Sequence, residues 1–426
     1  MIPVKELTLS LLRLLPLAII EPSTAIVFWM IVFLSAIQYK KVAANEARIY
    51  GMSKNNSLEA LVSGLFYGLA GGVVASAFLV FIGVSLTGSG VAYLLPLALL
   101  LYMVNPRLMC FSYAGGLISI MNLVSGFPRV SVPGLMALVG ILHITESILI
   151  RLSGQGCSTP LYLRNKAGRV VGGFGLQRFW PMPLVALVML VVPDMTGITG
   201  LIHMPDWWPL IRPEEAAHAP DALFVMVPLV AALGYSDFAV TCTPARKVRR
   251  ASTALALYSV TLLGAAVASS FYRPLQWVAA LFGPIGHEAV VMLAGKRELS
   301  GESAFVPPAR GVMVLDVMPN TSAAGVGLKT GDIIIEVSGA PVNSRTELMD
   351  MVAKTPVFLE MLVEDMHSGS RREVRFRGVV DDLGVITVPE EGDDPHVEIR
   401  GSTPMKGLLR RLVGTLKAVK GRLSRR

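Results

Sequence analysis

The sequence predicts a polytopic α-helical membrane bundle followed by a small α+β domain, and three observations predict it. The 426 residues are 53% hydrophobic and only 16% charged, whereas an average soluble domain carries roughly a quarter charged residues. Apolar runs of about 20 residues, the length of a membrane-crossing helix, recur through the first two-thirds of the chain and stop near residue 295. From residue 310 the pattern changes to short β-rich runs punctuated by turns.

Taken in order, the apolar stretch Leu7–Ile20 has no small-x-small cleavage site, and Glu21-Pro22 leads straight into the next run. It is therefore not read as a removable signal peptide. Eight spans are expected, over 22–38, 58–84, 91–105, 107–124, 132–151, 179–195, 220–239 and 251–271. Two weaker segments, 5–20 and 274–294 (the latter interrupted by Gly283-Pro284), are expected to cross or re-enter. Gly64 and Gly68 give the second span a close-packing face.

Net charge is +8 and unevenly spread. Three loops are basic: Lys40, Lys41, Arg48 and Lys54; Arg151, Arg164, Lys166, Arg169 and Arg178; and Arg246, Lys247, Arg249 and Arg250. The 194–221 loop is acidic, with Asp194, Asp206, Glu214, Glu215 and Asp221. The positive-inside rule places the basic loops in the cytoplasm and the acidic one outside, and both termini are expected inside. In the tail, Lys406, Arg410, Arg411, Lys417, Lys420 and Arg422 alternate with an apolar helical stripe, which suits an anionic inner leaflet. Nucleic acid is not an expected partner, because these cations are interleaved with Leu and Val rather than stacking aromatics.

Candidate chemistry is sparse. Cys110, Cys157 and Cys242 form no CxxC pair, so neither a disulfide framework nor a zinc motif is expected. His143 and Glu146 share one helix face, where an interhelical hydrogen bond is the bland reading and a functional pair the sharper one. Asp237 is treated alike. His287-Glu288 lacks the second histidine one turn on, since position 291 is Val. A zinc protease needs that ligand, so no catalytic residue, metal or cofactor is expected.

The run from Gly311 to Val352, with its Ser322-Ala-Ala-Gly325 and Gly327-Leu-Lys-Thr-Gly-Asp332 series, resembles the permuted PDZ domain of HtrA-type proteases. That resemblance implies an extended peptide bound between a strand and the helix 345–354, with Thr346, Leu348, Met349 and Val352 as candidate groove residues. The glycine-apolar-glycine-apolar carboxylate loop expected upstream of Gly311 is absent from 295–310. The boundaries are then 1–296 for the membrane domain, 297–309 for a linker and 310–380 for the PDZ domain. An acidic linker with one extra strand at most follows over 381–404, and the basic tail over 405–426.

Membrane spans, the stretch Gly283-Pro-Ile-Gly-His-Glu288, the run Lys296-Arg-Glu-Leu299 and one PDZ domain together resemble the MinJ family of Gram-positive division-site adaptors. The resemblance implies a non-enzymatic scaffold for proteins of the DivIVA and MinD type at the inner membrane face. The alternatives are an inactive relative or PDZ-bearing regulator of a site-2-type protease and, less favoured, a transporter.

Overall fold

A computed structural model describes residues 2–165, 167–192, 201–213, 221–354, 358–376 and 383–398. The basic tail and much of the acidic loop, including Asp194, Glu214 and Glu215, lie outside the described residues.

Two short helices, α1 (Val4–Leu14) and α2 (Leu17–Ile20), precede the long α3 (Pro22–Tyr50) and α4 (Ser57–Ile82). Asn56 starts α4 by accepting from the Leu58 and Glu59 amides, and Gly83 ends it at φ +74°. Helices α5 (Val91–Val104) and α6 (Phe111–Ser125) form a hairpin whose two ends meet, the Ser131 amide donating to the Gly88 carbonyl. At its tip Cys110 meets His143 of α7 (Val132–Ser153) and His287 of α9 (Leu275–Ser300), while Pro106, Arg107 and Met109 are exposed. With 14 and 15 residues the two helices fall short of the about 20 residues of the crossings expected. With α8 (Pro244–Phe271) between them, α7 and α9 complete the helices. Among the described residues five helices are long and apolar enough to cross a membrane: α3, α4, α7, α8 and α9.

The principal correction concerns the expected spans 179–195 and 220–239. They are not helices. Strand β1 (Ser158–Arg164) leads into β2 (Val170–Val191), which pairs antiparallel with β3 (Ala222–Ala239) in unbroken register from Phe174↔Ala239 to Val191↔Ala222. On β2, strand β1 reaches only 170–176, and among the described residues no strand covers the rest of that edge, apart from one backbone bridge at Leu187, whose carbonyl accepts from the Leu86 amide. An unpaired edge in an apolar setting must be satisfied another way. Along the odd-numbered residues it is satisfied side chain by side chain. The Phe179 amide donates to Tyr39 Oη (3.0 Å), the Val185 amide to Ser76 Oγ (2.8 Å) and the Met189 amide to Thr87 Oγ1 (2.7 Å). Pro181 and Pro183, on the same edge, have no amide to satisfy. Their carbonyls face Gly68 and Gly72 of α4, where a Cβ would sit 2.1 and 1.9 Å from the oxygens. Glycines four apart on a helix advance about 6.0 Å, against about 6.6 Å for alternate strand residues, so the two rows stay in step. The glycine face thus packs on a strand.

The ends of the molecule are distinct. At one end Leu7, Leu11 and Leu15 pack against Val80, Val185 and Leu187, and the Trp208 indole N–H donates to the Val80 carbonyl. Segment 5–20 therefore packs at that end instead of crossing, and it lies opposite the PDZ domain. The expectation of both termini on one side concerns a C-terminal end, 399–426, that lies outside the described residues. At the other end Lys54 pairs with Asp316 of the PDZ domain, and the described residues of the three basic loops gather there. Two of those cations are not on the surface. Arg178 is 1% exposed and donates to Ser63 Oγ and Cys157 Sγ, while buried Lys247 meets Asp237 (3.0 Å) and Glu298 (3.6 Å).

The PDZ domain comprises β4 (Val312–Val317), α10 (Ser322–Gly325), β5 (Asp332–Val337), β6 (Ala340–Pro341), α11 (Arg345–Lys354), β7 (Glu360–Asp365), β8 (Arg371–Arg375) and β9 (Val385–Thr387). Its main sheet runs β8-β7-β5-β4-β9. A last strand, β10 (Val397–Glu398), leaves the domain and pairs parallel with β1.

Candidate peptide-binding site

The domain core is built from alternate residues of the strands together with Leu348 and Val352 of α11. Those two side chains are buried, so they hold the helix down and do not line an open groove. Thr346 and Met349 point outward, and Met349 is 39% exposed. Ser344 and Glu347 set the start of the helix: the Glu347 amide donates to Ser344 Oγ, and Glu347 Oε2 accepts from the Asn343 amide.

Strand β4 is flanked on both sides, by β5 and by β9, so no peptide can add to it without displacing one of them. Among the described residues the open edge near α11 belongs to β9, which arrives from downstream of the domain. It is preceded by Leu383-Gly384, with Leu383 in the domain core and Gly384 at φ +70°. A Cβ at Gly384 would lie 2.3 Å from Thr321, so only glycine fits this turn. The last three positions of the glycine-apolar-glycine-apolar series missing upstream of Gly311 are matched by Leu383-Gly-Val385 on the far side of the domain, with Asp382 where the first glycine is expected. Sequence reasoning looked on one side only, although the signal was there.

Arg345 locks β9 beside the helix. Its Nε donates to Thr387 Oγ1 (2.8 Å), its Nη2 to Asp393 Oδ2 (2.6 Å) and to Tyr162 Oη (3.2 Å). His396 stacks on Tyr162 at 4.7 Å and 5°, and its Nδ1 accepts from the Tyr162 amide. Burial holds the His396 imidazole below its ordinary pKa, with Asp393 opposing that shift. Residues 385–398 therefore strap the groove helix to β1. Within the expected acidic linker, Glu390 and Asp393 are ligands of this strap rather than solvated charges, since the Arg345 amide donates to Glu390 Oε1 (2.5 Å).

Residues 290–374 match the PDZ domain family. The chain is 24% identical to the cell division topological determinant MinJ of Bacillus subtilis, over 62% of this chain and 64% of that protein. It is 25% identical to the probable MinJ of Lacticaseibacillus paracasei, over 60% and 66% respectively. The first alignment covers 271 residues, so it reaches well beyond the PDZ domain into the membrane part. The chain resembles MinJ. It spans just under two-thirds of the length of these relatives. Similarity to proteases is confined to the PDZ domain: 45% over 56 residues for the magnetosome formation protease MamE of Magnetospirillum gryphiswaldense, 7% of its length, and 35% over 80 residues for the periplasmic serine endoprotease DegP of Escherichia coli.

Proposed function

We propose that this chain is a non-enzymatic membrane adaptor that recruits division proteins through its PDZ domain at the inner membrane face during division-site selection. The observation that carries the reading is the likeness to MinJ across both the membrane part and the PDZ domain. Charge supports the sidedness: the PDZ domain lies at the end where the basic loops gather, and positive loops stay in the cytoplasm. Partners of the DivIVA and MinD type follow from the family resemblance. They would meet the β9–α11 edge, where a peptide adding to β9 would face Thr346 and Met349. The 405–426 tail, as an amphipathic helix on the anionic inner leaflet, would hold this face against the membrane.

A crosslinking pull-down of the full chain from native membranes tests the proposal. Recovery of DivIVA- or MinD-like proteins is expected. Recovery of a membrane protease in their place would favour a regulator of proteolysis and overturn the adaptor reading.

A further inference from the structure

Three helices that are distant in sequence bring Cys110, His143 and His287 together. Cys110 Sγ lies 3.1 Å from His143 Nε2 and 3.6 Å from His287 Nε2, and the three donor atoms all fall within 4.8 Å of one another. Zinc bonds of about 2.3 Å to sulfur and about 2.0–2.1 Å to nitrogen place tetrahedral ligand atoms about 3.3–3.6 Å apart, so one ion fits once the two imidazole nitrogens, now within 4.8 Å, close by at most about 1.5 Å. His143 is already oriented for the task. Its Nδ1 lies 2.7 Å from the Val139 carbonyl, and donating there leaves the Nε2 lone pair directed at the cluster.

Without a cation the cluster is poorly balanced. One thiol proton can serve only one of the two imidazoles facing it. His287 Nδ1 and Glu288 Oε1 are buried with no hydrogen-bond partner, although Glu288 Oε2 accepts from Tyr113 Oη at 2.5 Å. Polar atoms left unpaired at this depth are costly. A divalent ion on a thiolate leaves one net positive charge, and the adjacent Glu288 carboxylate would offset it.

We propose that Cys110, His143 and His287 form a binding site for a thiophilic d10 metal ion, zinc(II) or copper(I). On binding, the Cys110 thiol loses its proton to solvent, its thiolate and the two neutral imidazoles form three metal bonds, and a water completes a zinc site. The ion would pin the tip of the α5–α6 hairpin to α7 and to α9, the helix that runs into the PDZ domain. This proposal is independent of the adaptor reading.

The test uses the full chain purified in detergent on a tag without histidine, stripped of metal and titrated with zinc(II) or cobalt(II) alone. About one zinc per chain is expected, with affinity lowered more than about 100-fold in Cys110→Ser and His287→Gln, because each removes a direct ligand. His203→Ala, outside the cluster, should bind as the parent does. Cobalt(II) should give a thiolate-to-cobalt charge-transfer band in the parent chain, a readout that does not depend on whether any variant folds. Displacement of zinc by copper(I) would support the site and fix the ion. A monodisperse parent chain that takes up no zinc or copper(I), or a cobalt complex without the sulfur band, would overturn it.

Discussion

Replacing Gly72 with Ala places a methyl group 1.9 Å from the Pro183 carbonyl oxygen. Ordinary contact begins near 3.4 Å, so helix α4 and strand β2 must separate by about 1.5 Å, an overpacking strain of about 1–3 kcal/mol or more. The separation would also stretch the bond from the Val185 amide to Ser76 Oγ, one turn along. Helix propensity works the other way, by about 1 kcal/mol in favour of Ala. The two effects can be told apart with Gly264→Ala in α8, where nothing lies within 4 Å of the new Cβ. Thermal unfolding of the full chain in detergent should show Gly72→Ala destabilised by about 2 kcal/mol and Gly264→Ala unchanged or stabilised by up to about 1 kcal/mol. Equal stability of the two variants would refute the packing of a glycine face on an otherwise open strand edge.

Lys247→Met leaves Asp237 and Glu298 without their buried cation, and a loss of about 3–5 kcal/mol is expected by the same unfolding assay. Arg345→Gln removes the ion pair to Asp393, so protease should cut within 388–398 faster while the rest of the PDZ domain stays resistant. That strap should also loosen in acid. Because its folded pKa is depressed, His396 contributes docking stability fully above its ordinary value near 6.5 and loses it as pH falls through that value, so cleavage should accelerate between about pH 7.5 and about pH 5.5. A cysteine at exposed Ser368 should resist an impermeant thiol reagent in intact cells if the PDZ domain is cytoplasmic.

Composition and apolar run length made the membrane part legible, and the Gly327–Asp332 turn made the PDZ domain legible. The hairpin was not. A long unbroken apolar run has no polar alternation to separate strand from helix, so 179–195 and 220–239 read as spans. Pro181, Pro183 and Pro228 spoke against helix interiors, and their meaning emerges only with α4 lying alongside two of them. The α5–α6 hairpin was misread for a related reason, since hydropathy registers an apolar run and not where the helix inside it stops, here after 14 and 15 residues. Cys110, His143 and His287 are separated by 33 and 144 residues, so a search for ligands one helical turn apart could not find them. The groove helix 345–354 came from the PDZ resemblance, which gave no sign that the edge strand beside β4 comes from downstream.

The central claim is that the β9–α11 edge receives division proteins on the inner side of the membrane. A photocrosslinking residue at Met349 in growing cells tests it directly, with a second probe at Met292, exposed on α9, as the reference position. Adducts with cytosolic division proteins from Met349 and not from Met292 are predicted. Adducts from Met349 with proteins of the outer face, or identical adducts from both positions, would contradict the account.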